Sequence, residues 1–220
     1  QMASERLSTS SDPLVTKALP RLERALGRAA ALARNVLEYG KSEEPAPERH
    51  RLLLARAVAA AGEDAGLDPD GVALVTDLPS RFVVSADPDQ LHRILVNLMR
   101  NARQAIEGQP EHERGEIRVS ADEENGYAVI RIADNGPGIP DRLAERLFEA
   151  FVSGSKSDGT GLGLTISREL AANHGGDLRL LATGPDGAVF ELRLPQSETR
   201  VPANHDPALA EPSERLQAEL

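Results

Sequence analysis

Two glycine-rich turns on either side of a helix-like segment constrain this chain more than any other feature. The first spans residues 134–140 (DNGPGIP) and the second spans residues 159–164 (GTGLGL). Glycine is used where the backbone takes unusual dihedral angles or approaches a ligand closely. A nucleotide with a charged phosphate tail is the ligand that best suits such a pair of turns. Glycine clusters also occur in ordinary loops, so neither turn decides the matter alone.

The composition limits the other function classes. A formal net charge of −10 opposes bulk electrostatic binding to nucleic acid or to an anionic membrane. The chain has no cysteine, which excludes disulfides and thiolate metal sites and fits a reducing cytoplasm. No apolar run approaches the roughly 20 residues that span a bilayer, and no signal peptide is visible. We expect a cytoplasmic chain without a nucleic-acid partner, and any membrane anchor of the parent protein would lie in segments absent from this chain.

A heptad pattern near the N-terminus indicates a helical hairpin. Residues 1–8 resemble the end of one helix, and Asp12-Pro13 are typical of the N-cap and first position of the next. Apolar residues then recur in steps of four and three at Val15, Leu19, Leu22, Leu26, Ala29, Ala33 and Val36. Such a seam is used in coiled coils and bundles, although one helix packed on its own domain is an alternative. We predict part of a hairpin over residues 1–44.

The rest of the chain predicts one mixed domain over residues 48–195 and a flexible tail over residues 196–220. Apolar runs and alternation predict strands over residues 72–78, 81–86, 116–121, 127–133, 177–182 and 188–194. Helical spacing predicts helices over residues 55–65, from Asp87-Pro88 to Ile106, and over residues 141–148 and 162–174. The pair Asn125-Gly126 is a strong hairpin signal between two of the strands.

Three sets of polar residues could carry chemistry. Asn97 and Asn101 are four residues apart, so their amides share one face of a helix. Because buried amides need partners, either one of them caps a neighbouring strand while the other lies at the surface, or their oxygens share a Mg²⁺ ion with phosphate oxygens. Asp134 follows a strand and either caps the next turn or accepts a hydrogen bond from an exocyclic amine such as that of adenine. The second glycine turn precedes a helix whose first amides suit phosphate oxygens, and it matches neither the P-loop nor the dinucleotide fingerprint.

These motifs, taken in order, resemble a known family. Residues 97–102 (NLMRNA), residues 134–139, Phe148 with Phe151, and residues 159–164 are similar to the N box, first glycine box, F box and second glycine box of sensor histidine kinases. The likeness extends through residues 173–176 (NHGG) to Pro195. The combination is specific where each motif alone is weak. The resemblance implies an α+β fold, the α/β sandwich of the Bergerat ATP-binding superfamily, with a mixed sheet and helices on one face.

The resemblance also implies roles for individual residues, with ATP and Mg²⁺ as the cofactors. Asn101 is expected to ligate Mg²⁺, and Asn97 to lie near the γ-phosphate and assist transfer. Asp134 is expected to recognise the adenine amine. The other residues expected at the nucleotide are Gly136, Gly138, Ile139, Lys156, Gly159, Thr160, Gly161, Leu162, Gly163 and Leu164. Residues 149–160 would form a lid, in which Lys156 either reaches a phosphate or is a solvated loop lysine. Phe148 and Phe151 are expected to anchor the lid on the core, and Ala188 stands where many relatives have threonine beside adenine.

The N-terminal segment is similar to the dimerisation and phosphotransfer hairpin of the same kinases. Residues 1–40 contain no histidine, so we expect the phosphoacceptor histidine to be absent from this chain. His50, His92 and His174 are interpreted as surface or structural residues. The resemblance implies a homodimer through the hairpin and a response regulator receiver domain as partner. Two alternatives stay open: an ATPase or serine kinase of the wider superfamily, which includes DNA gyrase, and a pseudokinase scaffold that binds partners without phosphotransfer.

Overall fold

The computed structural model describes Leu19 and residues 45–109, 114–152 and 161–196. The hairpin predicted over residues 1–44 therefore lies outside the described residues, apart from Leu19 at one seam position. The predicted tail lies outside them from residue 197 onward. Both remain predictions. No helix among the described ranges is long and apolar enough to cross a membrane.

The described chain alternates strands with helices. The strands are β1 (His50–Leu53), β2 (Val72–Asp77), β3 (Val83–Ala86), β4 (Gly115–Glu124), β5 (Tyr127–Asp134), β6 (Asp177–Gly184) and β7 (Gly187–Pro195). The helices are α1 (Leu54–Asp64), α2 (Pro88–Glu107), α3 (Asp141–Ala144) and α4 (Gly163–Asn173). Each predicted strand and helix of the ATP-binding region is present. The helix predicted over residues 141–148 is shorter, because regular helix ends at Ala144 and turns follow.

Five strands form one mixed sheet in the order β2-β4-β5-β7-β6. β2 pairs with β4 in parallel, whereas the other three pairs are antiparallel. A separate antiparallel pair joins β1 to β3. Buried apolar side chains on one face of β4, β5 and β7, among them Ile117, Ile132 and Leu192, pack against α2 and α4. The predicted α+β class, a mixed sheet with helices on one face, is confirmed.

Helix α2 is the longest described element, and its start is well defined. The Asp87 carboxylate accepts hydrogen bonds from the amides of Asp89 and Gln90, both at 3.0 Å, and Pro88 occupies the first turn. This is an N-cap of the kind that satisfies amides left without helical partners. The apolar face of α2, including Leu91, Leu95, Leu98 and Met99, is buried against α1, α4 and the sheet. The N-cap and this face fix how α2 presents its polar positions.

The segment before β1 is bonded to the same end of α2. The Gln90 amide donates to the carbonyl oxygen of Pro45 at 3.0 Å, and the Glu48 amide donates to Asp87 at 3.0 Å. Arg49 donates to the carbonyl oxygen of His174 at 2.5 Å. The chain therefore enters the domain along the start of α2 and the end of α4.

The sheet face opposite the helices carries an ion-pair cluster. Glu191 is almost fully buried there, and its carboxylate lies 3.1 Å from Arg131 and 2.6 Å from Arg179. Burial alone would raise the pKa of Glu191, but the Arg179 and Arg131 guanidinium groups keep that pKa below its usual value. Arg131 also contacts Glu124 at 2.6 Å. The cluster ties β4, β5, β6 and β7 together on a face that has no covering helix among the described residues.

Candidate functional site

The first glycine turn, residues 134–139, begins where β5 ends and contacts the start of β7. Oδ1 of Asp134 accepts hydrogen bonds from the amide of Gly136 at 2.9 Å and from that of Ala188 at 3.4 Å. Oδ2 accepts from no residue in the described part of the chain. Burial raises the pKa of Asp134, and the two amide hydrogen bonds oppose that rise. The half-buried carboxylate therefore keeps one oxygen available for a donor such as an amine.

The backbone of the first glycine turn is held from one side by Asn135. The Asn135 side chain accepts from the Glu116 amide at 2.8 Å and donates to the carbonyl oxygen of Arg114 at 2.9 Å. The Asn135 amide also donates to the carbonyl oxygen of Glu116 at 3.2 Å. Together these bonds continue the β4–β5 pairing past the end of β5. Sequence reasoning did not identify Asn135, although a polar residue directly after a strand end was visible.

The same turn touches the β6–β7 hairpin on its other side. Gly138 has φ +71°, and a Cβ there would clash with the carbonyl oxygen of Gly184. Only glycine combines that backbone conformation with so close an approach. The next amide, of Ile139, donates to the Thr183 hydroxyl at 2.7 Å. The predicted residues Asp134, Gly136, Gly138 and Ile139 are thus brought together in one fixed turn.

The second glycine turn is described from Gly161 to Leu164, and the predicted residues Lys156, Gly159 and Thr160 lie outside the described residues. Gly161 has φ +70°, and a Cβ there would lie 2.7 Å from the carbonyl carbon of Phe151. The Phe151 amide donates to the carbonyl oxygen of Gly161 at 3.0 Å, which closes the base of the loop between them. Leu162 is fully buried. Helix α4 starts at Gly163, and no side chain of the described residues caps it. Helix N-terminal amides are suited to binding an anion.

Asn97 joins α2 to the second glycine turn. Its side-chain nitrogen donates to the carbonyl oxygen of Gly163 and to the Ser167 hydroxyl, both at 3.3 Å. Asn101 lies one helical turn further along the same face and is half buried. Its side chain makes no hydrogen bond to any residue of the described ranges. Asn97 therefore connects two helices, and Asn101 offers an amide without a partner in the described chain.

The space beside Asn97 is a cleft of about 560 Å³ between α2 and the start of α4. Arg100, His92 and Gly163 contribute to its walls. His92 is partly exposed and pairs with Asp64 at 2.9 Å. Neither Asp134 nor Asn101 lines the cleft, which meets the candidate site residues at Asn97 and Gly163.

The two phenylalanines before the second glycine turn behave differently. Phe148 packs against the core, and the Arg168 guanidinium lies 4.9 Å from the centre of its ring. Phe151 is 61% exposed and has φ +65°. The prediction that both anchor a lid on the core is therefore wrong for Phe151. Its left-handed backbone, which pairs with Gly161, directs the ring away from the core.

His174 and Ala188 take up positions that the sequence partly anticipated. His174 is fully buried, its Nδ1 lies 2.7 Å from the carbonyl oxygen of Leu170, and its Nε2 accepts from the Asp87 amide at 3.0 Å. It thus links the end of α4 to the start of α2. Ala188 is buried beside Asp134 and has no hydroxyl, and the nearest one on its strand pair belongs to Thr183. Thr183 was missed by sequence reasoning.

Comparison with known proteins agrees with this arrangement. Residues 86–198 match the family described as histidine kinase-, DNA gyrase B- and HSP90-like ATPases. The signal transduction histidine-protein kinase AfsQ2 of Streptomyces coelicolor is 34% identical over 203 residues, which are 90% of this chain and 36% of AfsQ2. The sensory histidine kinase/phosphatase NtrB of Escherichia coli O157:H7 is 38% identical over 138 residues, which are 58% of this chain and 38% of NtrB.

A solved structure shows the same fold. Full-length ShkA in complex with AMPPNP has a TM-score of 0.64 and 25% sequence identity, and the match covers 88% of this chain and 41% of ShkA. The chain thus spans well under half the length of AfsQ2 and NtrB. The family match covers both glycine turns and the two asparagines of the site. This chain belongs to the histidine kinase-, DNA gyrase B- and HSP90-like ATPase family and carries the ATPase domain of two-component sensor histidine kinases.

Proposed function

We propose that this chain binds Mg·ATP between α2 and the two glycine turns and passes the γ-phosphoryl group to a histidine. The observation that carries the proposal is the hydrogen bond from Asn97 to Gly163 at 3.3 Å. It joins the asparagine face of α2 to the helix start that follows the second glycine turn. Asp134 stands at the other end of the same group of elements. A ligand with a base at one end and phosphates at the other suits this layout.

The adenine end rests on Asp134. Its Oδ1 is occupied by two amides, so Oδ2 is left to accept from the exocyclic amine of the base. Gly138 lets the turn lie against the β6–β7 hairpin, because a Cβ there would meet the Gly184 carbonyl oxygen, and this fixes the backbone beside the proposed base site. Guanine presents a carbonyl oxygen where adenine has its amine, and that oxygen would meet the carboxylate unfavourably. We therefore propose adenine as the preferred base.

The phosphate end rests on the second glycine turn, α4 and Asn101. The described residues contain no cluster of three or more His, Cys, Asp or Glu side chains that could hold a metal by themselves. An unpartnered amide oxygen suits Mg²⁺, which takes few protein ligands and shares phosphate oxygens and water. We propose that Asn101 supplies that oxygen. When bound, Mg²⁺ would neutralise charge on the phosphates. The first amides of α4 would bind phosphate oxygens, and Lys156, Gly159 and Thr160 would complete this end.

The transfer itself asks little covalent chemistry of the chain. A histidine ring nitrogen forms the new bond to the γ-phosphorus while the bond to the bridging oxygen of ADP breaks. Positioning and charge stabilisation then supply most of the catalysis. Asn97 holds the α4 start at the reacting end and is the residue we place nearest to the transferred group. We propose that the acceptor histidine is not one of those in this chain.

The partners follow from the family. We propose that residues 1–44 contribute to a dimerisation hairpin, with residues 48–195 as the ATP-binding domain. We further propose that the phosphoryl group passes from the histidine to an aspartate of a response regulator receiver domain. NtrB is named as both a kinase and a phosphatase, so phosphate removal from the regulator is a further activity open to test.

One experiment tests the proposed reaction. The protein, with any sequence that precedes residue 1 in its natural form, is incubated with γ-labelled Mg·ATP, and the label is challenged with acid and base. We expect label that is lost in acid and stable in base, as for a phosphohistidine. Acid-stable label would indicate a serine kinase instead. ATP hydrolysis without label would indicate an ATPase, and ATP binding without either would indicate a scaffold.

A further inference from the structure

The β6–β7 hairpin contains one irregularity, and it lies next to the first glycine turn. Leu178 and Leu180 pair with Leu192 and Phe190; Leu178 is fully buried, and Leu180 is half buried and packs against the core. The register then shifts, so that Ala182 pairs with Val189 and Thr183 pairs with Ala188. Leu181 is the additional residue. β-Bulges recur beside functional sites, where they redirect a side chain.

The bulge changes which face Thr183 occupies. Simple alternation from Leu178 and Leu180 would place residue 182 on the core face and Thr183 on the opposite face. Because Leu181 is inserted, Thr183 instead shares a face with its partner Ala188, which is 3% exposed and bonded to Asp134. Leu181 itself is left 46% exposed. An exposed leucine accompanies the redirected threonine, and packing of Leu181 does not account for the bulge.

The redirected hydroxyl makes two contacts to one residue. Thr183 Oγ1 accepts from the Ile139 amide at 2.7 Å, and the same hydroxyl lies 3.4 Å from the Ile139 carbonyl oxygen, to which it can donate. A hydroxyl has one donor and two acceptor positions, so both contacts can be made together. The pair acts as a short bridge between β6 and the glycine turn. We name it the Thr183–Ile139 clasp.

The clasp lies directly after the closest backbone approach in the site. Gly138 leaves no space for a Cβ against the carbonyl oxygen of Gly184, and Gly184 follows Thr183. The turn therefore contacts the hairpin closely at Gly138 and is hydrogen-bonded to it at Ile139. Asp134, at the start of the same turn, is bonded to Ala188, the cross-strand partner of Thr183. The two ends of the turn, at Asp134 and Ile139, are therefore hydrogen-bonded to Ala188 and Thr183, which pair with each other across the hairpin.

We infer that Thr183 is a positioning residue for adenine recognition: its clasp on Ile139 holds the first glycine turn so that Asp134 is aligned with the base. The inference rests on the proposed function, because the base must bind at Asp134 for the alignment to matter. It also gives a physical account of Ala188. Ala188, beside the Asp134 carboxylate, has no hydroxyl that could contact the base. The hydroxyl of its cross-strand partner Thr183 instead fixes the backbone of the turn.

The test compares three substitutions in the full chain. Thr183→Val removes the hydroxyl at nearly constant shape, and Thr183→Ser keeps it. Thr76→Val is the matched control, because Thr76 is exposed on β2 at the far edge of the sheet. Calorimetry measures the affinity of each variant for Mg·ATP and Mg·GTP, and amide hydrogen exchange measures Ile139 in the ligand-free protein.

We expect Thr183→Val to weaken Mg·ATP binding by roughly three- to tenfold, the effect of losing one hydrogen bond. The preference for ATP over GTP should fall with it, and Ile139 should exchange faster. Thr183→Ser should restore all three, and Thr76→Val should change none. A purely structural threonine would lower the melting temperature and leave the ratio of ATP to GTP affinity intact.

Two results would overturn the inference while leaving the proposed function intact. One is an unchanged preference for ATP over GTP in Thr183→Val, and the other is unchanged exchange of the Ile139 amide. If the unsubstituted chain binds no Mg·ATP, the proposed function fails first and the inference fails with it. That outcome is recognised in the unsubstituted protein before any variant is compared.

Discussion

The two glycine turns are held in different ways. The first is bonded by side chains to both neighbouring parts of the sheet, through Asn135 to β4 and through Thr183 to β6. The second is held within the described residues by one backbone bond at its base, from Phe151 to Gly161, and by the link from Asn97 to Gly163. The proposed adenine end is therefore formed by the sheet before a nucleotide arrives. The proposed phosphate end depends on how α4 is placed against α2.

The largest expected effect comes from a substitution in the first glycine turn that should weaken nucleotide binding without lowering the stability of the fold. Asp134→Asn should weaken Mg·ATP binding on the order of a hundredfold, because a charge-assisted acceptor for the adenine amine is lost. The melting temperature should stay unchanged or rise. Burial raises the pKa of Asp134, so its ionised form costs folding free energy at neutral pH, and this cost is relieved as the pH falls through the folded-state pKa.

Calorimetry and thermal unfolding of the same Asp134→Asn preparation check both halves of this prediction. The control is Asp141→Asn, which changes an exposed carboxylate shortly after the same turn. Unchanged Mg·ATP affinity in Asp134→Asn would remove Asp134 from the base site. A large fall in melting temperature would mean that the charge holds the turn together.

The second prediction addresses the phosphate end. Asn101→Ala should lower ATP affinity about tenfold in Mg²⁺ and leave the affinity in excess chelator nearly unchanged, because only the metal-dependent part uses the amide oxygen. Asn101 has no side-chain partner among the described residues, so folding should be little affected. Titration with and without Mg²⁺ measures the difference. Equal loss under both conditions would place Asn101 at the nucleotide itself and not at the metal.

Sequence reasoning predicted the parts of the molecule that depend on local chemistry. Asp87-Pro88 is a real helix start, and Asn125 (φ +52°) and Gly126 (φ +79°) form the predicted hairpin turn. The grouping of Asp134, Gly136, Gly138 and Ile139 in one turn also followed from the motif. Each of these features depends on a few residues that are neighbours along the chain, so it can be predicted from the amino-acid sequence.

Features that depend on pairing at a distance escaped prediction. Thr183 could not be assigned to the site, because a bulge at Leu181 reverses the alternation that sequence patterns rely on. Asn135 was passed over because its partners on β4 become neighbours only when the sheet forms. The family resemblance predicts Phe151 on the core, but the residue has a positive φ where its amide is bonded to Gly161, and its ring is exposed. In all three cases a long-range contact decides the outcome.

The third prediction uses pH to loosen α4 at the end far from the phosphate turn. Because Nδ1 donates to Leu170 and Nε2 accepts from Asp87, His174 must be neutral in the fold. Burial lowers the pKa of His174, with Arg49 adding to the shift, while the Leu170 carbonyl and Asp87 oppose it. The stabilisation is therefore complete above the unfolded pKa of 6.5 and is lost as the pH falls below it.

Urea unfolding between pH 8 and pH 5 measures this loss, which is at most about 1.4 kcal/mol for each pH unit below the unfolded pKa. His174→Gln should flatten the profile, because it removes the buried ring that must stay neutral in the fold. Since α4 begins at the second glycine turn, Mg·ATP affinity should fall more than adenosine affinity at low pH. If the affinities for Mg·ATP and for adenosine fall equally at low pH, the two glycine turns do not differ in their dependence on the position of α4.

The smallest expected effect distinguishes two glycines within the second turn. Gly163 lies in the first turn of α4, where the nearest described atoms to an added Cβ belong to the Asn97 side chain, at 3.6 Å. Gly163→Ala should therefore raise the free energy of unfolding by at most about 0.5–1 kcal/mol, because the preference for alanine over glycine applies in full only inside a helix. Mg·ATP affinity should fall a few-fold, since the added methyl group stands beside Asn97 where phosphate is proposed to bind.

Gly161→Ala is the matched comparison, because its Cβ would lie 2.7 Å from the Phe151 carbonyl carbon at a φ of +70°. That variant should lose at least about 1–2 kcal/mol of stability. Thermal unfolding and calorimetry on the two variants distinguish a glycine that the backbone conformation requires from one that the bound ligand requires. If Gly163→Ala gains stability and keeps full Mg·ATP affinity, the missing side chain at residue 163 serves the turn and not the phosphate, and only Gly161 is a required glycine at that end of the site.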